Sequence, residues 1–258
     1  MLACEVWGVG APVVLIHAFP LSSRMWLPQL EALEKIAQII LPDIPGLGRS
    51  PRQVQPSLPE IAKDVNRLLD HLKIKEPVFI GGLSMGGYVT FEFLRQFPER
   101  VRGLGLFSTR PAADTPEARE RRMQGIKKIR SDGLEPFAEK VIPNLIGKTS
   151  LAANPELVRH VRELILANRP EGVIDALLAM AGRRDSTDLL ASIRCPTLVI
   201  AGDEDSFVPL AEAESFARRI PKAEFHVIPK AGHLTNLEDP PVFRAILEKF
   251  LTTHVILV

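Results

Sequence analysis

Between Pro12 and Phe107, short apolar runs rich in β-branched residues alternate with stretches of helical periodicity. This alternation limits the folds open to the chain more than any other feature. PVVLIHAF (12–19), the run 36–41, PVFIGG (77–82) and VRGLGLF (101–107) read as buried strands. Between them, residues 22–35 read as a polar, amphipathic stretch and 57–72 as a helix. The second opens on Ser57 and Glu60 at capping-box spacing, with Pro59 in its first turn. Its Ile61, Val65, Leu68, Leu69 and Leu72 share one face. A βαβαβ order calls for a parallel sheet with helices on both faces.

From about Arg110 to Asp188 no strand pattern appears, only helical periodicities broken at Pro143, Pro155 and Pro170. Strand and helix then resume with PTLVIAG (196–202), a helix at 211–219, EFHVI (224–228) and a last helix at 241–252. The expected organisation is an α/β core of residues 1–109 and 189–258 interrupted by a helical cap at 110–188. Such an insertion belongs over the carboxyl edge of the sheet, where open α/β sheets bind ligands.

Composition sets the function classes. With 46% hydrophobic and 24% charged residues, 258 residues sustain a sizeable core. A net charge of +1 argues against a nucleic-acid partner. The basic clusters at Arg119–Arg122 and Lys127–Lys128 are broken by acids and read as solvated helix faces. Cys4 and Cys195 stand far apart with no zinc-ligand spacing, so neither metal nor cofactor is expected. The start MLACEVWG lacks the features of a signal peptide, and no apolar run is long enough to span a bilayer. A cytoplasmic location with no membrane partner is the expectation.

The chemistry concentrates at GGLSMGG (81–87). Gly82-Leu83-Ser84-Met85-Gly86 is a G-x-S-x-G elbow lying between a strand and a helix, as that motif requires. A tight turn would hold Ser84 at positive φ, with glycine two residues to either side because side chains there would collide. Gly81 and Gly87 should support the same packing less strictly. A serine hydroxyl needs a base, usually a histidine oriented by a carboxylate, in the chain order Ser, acid, His. Of six histidines, His226 falls in a strand, His71 and His160 in helices and His254 in the tail. His233 alone follows the last strand on a loop, PKAGHLTN. Asp203, Glu204 and Asp205 all suit the acid by spacing. The oxyanion donors should be the N–H groups of Met85, after the nucleophile, and Phe19, in the loop HAFP (17–20). His17 reads as a scaffold residue for that loop.

HAFPLSSRMW, PDIPGLGRS, GGLSMGG, CPTLVIAGDEDSFVP and AGHLTNLEDPPVF, in this order, resemble the α/β-hydrolase superfamily over nearly the whole chain. Within it the chain is most similar to capped bacterial carboxylesterases and 3-oxoadipate enol-lactonase-like proteins. The resemblance implies an eight-stranded, mostly parallel sheet, with ACEVWG pairing as an antiparallel edge. It selects Asp205 as the acid, because Gly202, Asp205 and Pro209 fit the family spacing. One departure is Ala18, where the family usually has glycine.

These readings converge on a serine hydrolase of small carboxylic esters with short to medium acyl chains, acting through Ser84, His233 and Asp205. A lactone hydrolase of the enol-lactonase type, or an acyltransferase or perhydrolase, would use the same residues. A non-catalytic ligand-binding protein on the same scaffold is the alternative of another class. Leu21 and Trp26 are expected in an apolar pocket, with Arg110 or Arg130 meeting a substrate carboxylate. The oligomeric state, monomer or homodimer, is left open.

Overall fold

A computed structural model describes residues 1–256; Leu257 and Val258, half of the apolar VILV tail, lie outside the described residues. Seven strands form one sheet: β1 (Cys4–Trp7), β2 (Pro12–Ile16), β3 (Gln38–Pro42), β4 (Val78–Leu83), β5 (Val101–Phe107), β6 (Thr197–Gly202) and β7 (Ala223–Ile228). Their order across the sheet is β1-β3-β2-β4-β5-β6-β7. Among the described residues only β1 runs antiparallel, paired to β3 with Cys4 opposite Pro42. The count is seven where the resemblance implied eight, because residues 1–10 supply one edge strand and not two.

Alternation along the strands sorts the core into two layers. Val14 and Ile16 of β2 join Val78 and Ile80 of β4 on one face, with Ile61, Val65 and Leu68 of α2 (Leu58–His71) and Val89 and Phe93 of α3 (Met85–Gln96). Val13, Leu15 and Phe79 face the other way, onto Leu30 and Leu33 of α1 (Leu27–Leu33) and onto Phe243 and Leu247 of a C-terminal helix (Pro240–Leu251). The capping box on α2 is half made. Ser57 Oγ accepts from Glu60 N (3.4 Å), whereas the Glu60 carboxylate turns to Lys63 (2.6 Å).

Between β5 and β6 lie five helices and, among the described residues, no strand: α4 (Pro116–Asp132), α5 (Leu134–Leu145), α6 (Lys148–Ala153), α7 (Pro155–Leu166) and α8 (Pro170–Ala181). The short helices α9 (Leu210–Ala217) and α10 (Thr235–Glu238) follow, and the C-terminal helix is α11. The inserted helices are tied to loops at the carboxyl ends of the strands. Asn168 Nδ2 donates to Pro20 O (2.8 Å) and its Oδ1 accepts from Gly48 N (2.7 Å). Arg52 pairs with Asp175 of α8. Among the described residues no helix is long and apolar enough to cross a membrane.

β2 and β4 are sheet neighbours, but the chain visits β3 on the far side of β2 before forming β4. The order therefore reverses between β2 and β4, which opens a crevice at their carboxyl ends. The loops that follow β2, β4, β5, β6 and β7 all emerge at this edge, and they carry Phe19, Ser84, Arg110, Asp205 and His233.

Candidate active site

Ser84 caps α3 at φ 56° and ψ −110°, the strained positive-φ turn its motif requires. Its N–H donates to Phe107 O (2.9 Å), and its carbonyl accepts from Gly87 N (2.9 Å) and from Thr109 Oγ1 (2.8 Å). The flanking glycines follow from close packing. A Cβ on Gly82 would stand 2.1 Å from Gly86 C, and one on Gly86 would stand 2.2 Å from Ile16 O. Gly87 is no less strict, since its Cβ would meet the Thr109 side chain at 2.4–2.6 Å. Gly81 is the least crowded of the four, with its nearest atoms at 3.0–3.2 Å, so that neighbours would have to give by only a few tenths of an ångström.

A stability test follows directly. Gly82→Ala drives a methyl into backbone that cannot rotate away, and should cost about 3 kcal/mol or more, the upper end for overpacking. For a domain of this size that is a fall in Tm of about 6–12 °C. Gly81→Ala should cost about 1 kcal/mol. Thermal unfolding of the two variants checks the contrast, and equal losses would contradict the packing account.

His233 is buried, and its Nδ1 lies 2.8 Å from Asp205 Oδ2. Asp205 Oδ1 accepts from the N–H groups of Phe207 (2.8 Å) and Val208 (3.0 Å). In the tautomer that donates Nδ1–H to the Asp205 carboxylate, Nε2 keeps its lone pair free. The Phe207 ring packs against the imidazole in an edge-to-face arrangement, with centroids 5.0 Å apart. The other two acids have different work. Asp203 takes the Lys230 N–H (2.6 Å), and Glu204 takes the N–H and hydroxyl of Thr149 (2.8 and 2.7 Å).

Phe19 N donates no hydrogen bond among the described residues, and Met85 N, first in α3, has no partner within its helix. His17 is wholly buried, with Nε2 accepting from Ile44 N (2.9 Å) and Nδ1 donating to Ala18 O (2.9 Å). Burial pushes its pKa down, so it stays neutral and holds the loop. Ala18 sits beside it without positive φ, so its methyl adds no backbone strain.

Ser84 and His233 open into one cavity of about 250 Å³, walled by Phe19 and Val208 of the core and by Phe137, Leu145 and Met180 of the insertion. Arg110 lines it, held by Glu212 (3.2 Å) and by Phe207 O. Three further expectations fail. Leu21 and Trp26 are wholly buried away from the cavity, with Trp26 packed on Phe107 and Phe243 (6.1 and 5.8 Å). Arg130, near the end of α4, is exposed and does not line it.

Sequence reading missed the cations that do line the cavity. Ala118, Arg121, Arg122 and Gly125 form an i, i+3, i+4, i+7 stripe on α4 that borders the cavity, with Arg121 at its exposed rim. The basic cluster at 119–122 is therefore not simply a solvated face. Asp114 joins Arg122 (2.5 Å) and Arg183, whose guanidinium lies 4.1 Å over the Tyr88 ring. Burial alone would push the Asp114 carboxyl up, but the two guanidiniums outweigh it and hold the group below the usual carboxylate range. Arg121 makes no close ion pair among the described residues, but after the backbone N–H of Glu117 and the Thr115 hydroxyl its charge helps hold the Glu117 carboxyl below the usual range. Among the side chains that line this wall, three arginines face one aspartate, with the Glu117 carboxylate near Arg121 just outside the lining.

The comparisons agree with this architecture. A family profile for the α/β-hydrolase fold matches residues 11–240. The structure of a thermophilic esterase from Thermogutta terrifontis, with malate bound, superposes with a TM-score of 0.95 at 41% identity, over 98% of this chain and 94% of that one. The enol-lactonase of Burkholderia xenovorans LB400 superposes with a TM-score of 0.89 at 25% identity, over 97% and 96%. In sequence, 3-oxoadipate enol-lactonase 2 of Acinetobacter baylyi is 28% identical over 225 residues, covering 87% of this chain and 82% of that protein. The chain belongs to the α/β-hydrolase family and is a hydrolase with esterases and enol-lactonases among its relatives.

Proposed function

We propose that the protein hydrolyses carboxylic esters of short to medium acyl chains, with Ser84 as nucleophile, His233 as base and Asp205 as its orienting acid. One observation carries this reading: a serine held at positive φ and a histidine with Nδ1 on a carboxylate open into the same largely apolar cavity. The Ser84 proton passes to His233 Nε2 as Oγ bonds to the acyl carbon. The N–H groups of Phe19 and Met85 hold the resulting oxyanion. The C–O bond to the alcohol then breaks, and His233 returns the proton to the leaving oxygen. Water repeats the sequence on the acyl-serine, freeing the acid and restoring Ser84. Residues 110–188 act as the cap that walls the site and sets the chain length admitted.

A second reading has its own support. The surplus of arginine over Asp114 suits an ester or lactone that carries a separate carboxylate, as in the enol-lactonase relatives. The test compares the p-nitrophenyl monoester of a short dicarboxylic acid with the neutral ester of equal chain length. The lactonase-type reading predicts that Arg121→Gln lowers the ratio of their kcat/KM about five- to tenfold, the worth of one charge-assisted hydrogen bond in a wet cavity. The preference should also shrink in 1 M salt, where the Debye length is about 3 Å. An unchanged ratio leaves the neutral-ester reading alone.

A further inference from the structure

Five residues beyond His233, at the end of α10, the Glu238 carboxylate spans two segments that are distant in sequence. One oxygen accepts from Gly232 N, next to His233, and the other from Gly147 N, between α5 and α6 (both 2.9 Å). Both glycines are buried, so each N–H must find a partner inside the protein. The two backbones touch. A Cβ on Gly232 would stand 2.3 Å from Gly147 N, and one on Gly147 would stand 2.7 Å from Gly232 N. Alongside, Leu145 O accepts from the N–H groups of His233 (3.2 Å) and Leu234 (3.1 Å). The His233 loop is thus built against the inserted helices as much as against the sheet. Glu238 does not line the cavity and so touches no substrate. Burial pushes its carboxyl up, while the two glycine N–H groups and the Ser150 hydroxyl pull it back, as suits a desolvated carboxylate that serves the backbone.

We infer that Glu238 is a positioning residue: by holding Gly232 and Gly147 on its two oxygens, it fixes the His233 loop and the inserted helices in one register. Placement of the base and placement of the cavity wall are then a single event. The inference rests on His233 being the base. Glu204 supplies the contrast, since its carboxylate fastens the same stretch of the insertion through Thr149 without touching the N–H groups around His233. A part that merely docks the insertion would be shared by both acids; a part in placing His233 belongs to Glu238.

The experiment uses the full chain with Glu238→Gln, which keeps the volume but turns one acceptor into a donor facing an N–H. Glu204→Gln is the control. Two readouts are taken: steady-state hydrolysis of p-nitrophenyl acetate, and the low-field proton resonance of His233 Nδ1–H. Glu238→Gln should lower kcat about 10- to 100-fold, the scale of an ångström-level misplacement, with KM within about twofold. It should also shift or broaden the Nδ1 resonance, and Glu204→Gln should do neither. Wild-type kcat, an unmoved resonance, or equal losses in the two variants would each overturn the inference. If the wild type turns over no ester, the hydrolase reading falls, and the resonance alone decides the role of Glu238. Should Glu238→Gln not fold, Glu238→Asp, which keeps the carboxylate but shortens its reach to the N–H groups of Gly232 and Gly147, is read by the same two measurements.

Discussion

Replacing Ser84 by alanine should lower kcat on p-nitrophenyl esters by about 10⁴–10⁶-fold and leave the protein folded, as for nucleophile deletions in serine hydrolases generally. The size of the effect follows from what remains. Without Oγ no acyl-enzyme forms, and only the two N–H donors and the cavity can assist water. The fold should tolerate the change because the Ser84 contacts in the elbow are made by its backbone, through Phe107 O, Gly87 N and Thr109 Oγ1. Unchanged Tm with lost turnover is the expected pair of results. Loss of both would mean that the hydroxyl is structural.

Asp205→Asn should lower kcat about 10⁴-fold, again with little change in Tm. The reason is tautomeric. The amide oxygen can still accept from the Phe207 and Val208 N–H groups, so the turn 203–208 keeps its shape. The amide nitrogen then faces His233 as a donor. Nδ1 must become the acceptor, the ring proton moves to Nε2, and the atom facing the cavity can no longer take a proton. Asp203→Asn is the control: its oxygen serves only Lys230 N, so kcat should stay within about twofold of the wild type. A large loss from Asp203→Asn would mean that the acid has been misassigned.

The backbone of the site was legible because glycine spacing reports close approach. Gly82 and Gly86 marked the elbow, and the structure shows which atoms exclude a side chain there. The strand–helix alternation likewise carried the sheet, down to the bounds of β5. Choosing among Asp203, Glu204 and Asp205 was beyond spacing alone, because all three lie on one turn and only the path of the chain decides which reaches His233. Side-chain direction was the least legible. Leu21 and Trp26 follow the loop after β2, as a pocket wall would, yet they turn into the layer beneath, where Trp26 meets Phe107 and Phe243. The arginines of α4 look like an ordinary solvated cluster, since their stripe along the cavity has meaning only once the helix is placed against the sheet edge. Glu238 had no local signal at all, because its two partners lie 6 and 91 residues away.

The central claim is that one covalent acyl-serine lies on the reaction path. Rapid mixing with excess p-nitrophenyl acetate, followed by an acid quench and peptide mass analysis, tests it most directly. The expected result is a burst of one p-nitrophenol per chain, with the acetyl group found on the peptide that carries Ser84 and absent in Ser84→Ala. An acetyl group on another residue, or turnover by Ser84→Ala at the wild-type rate, would contradict the account.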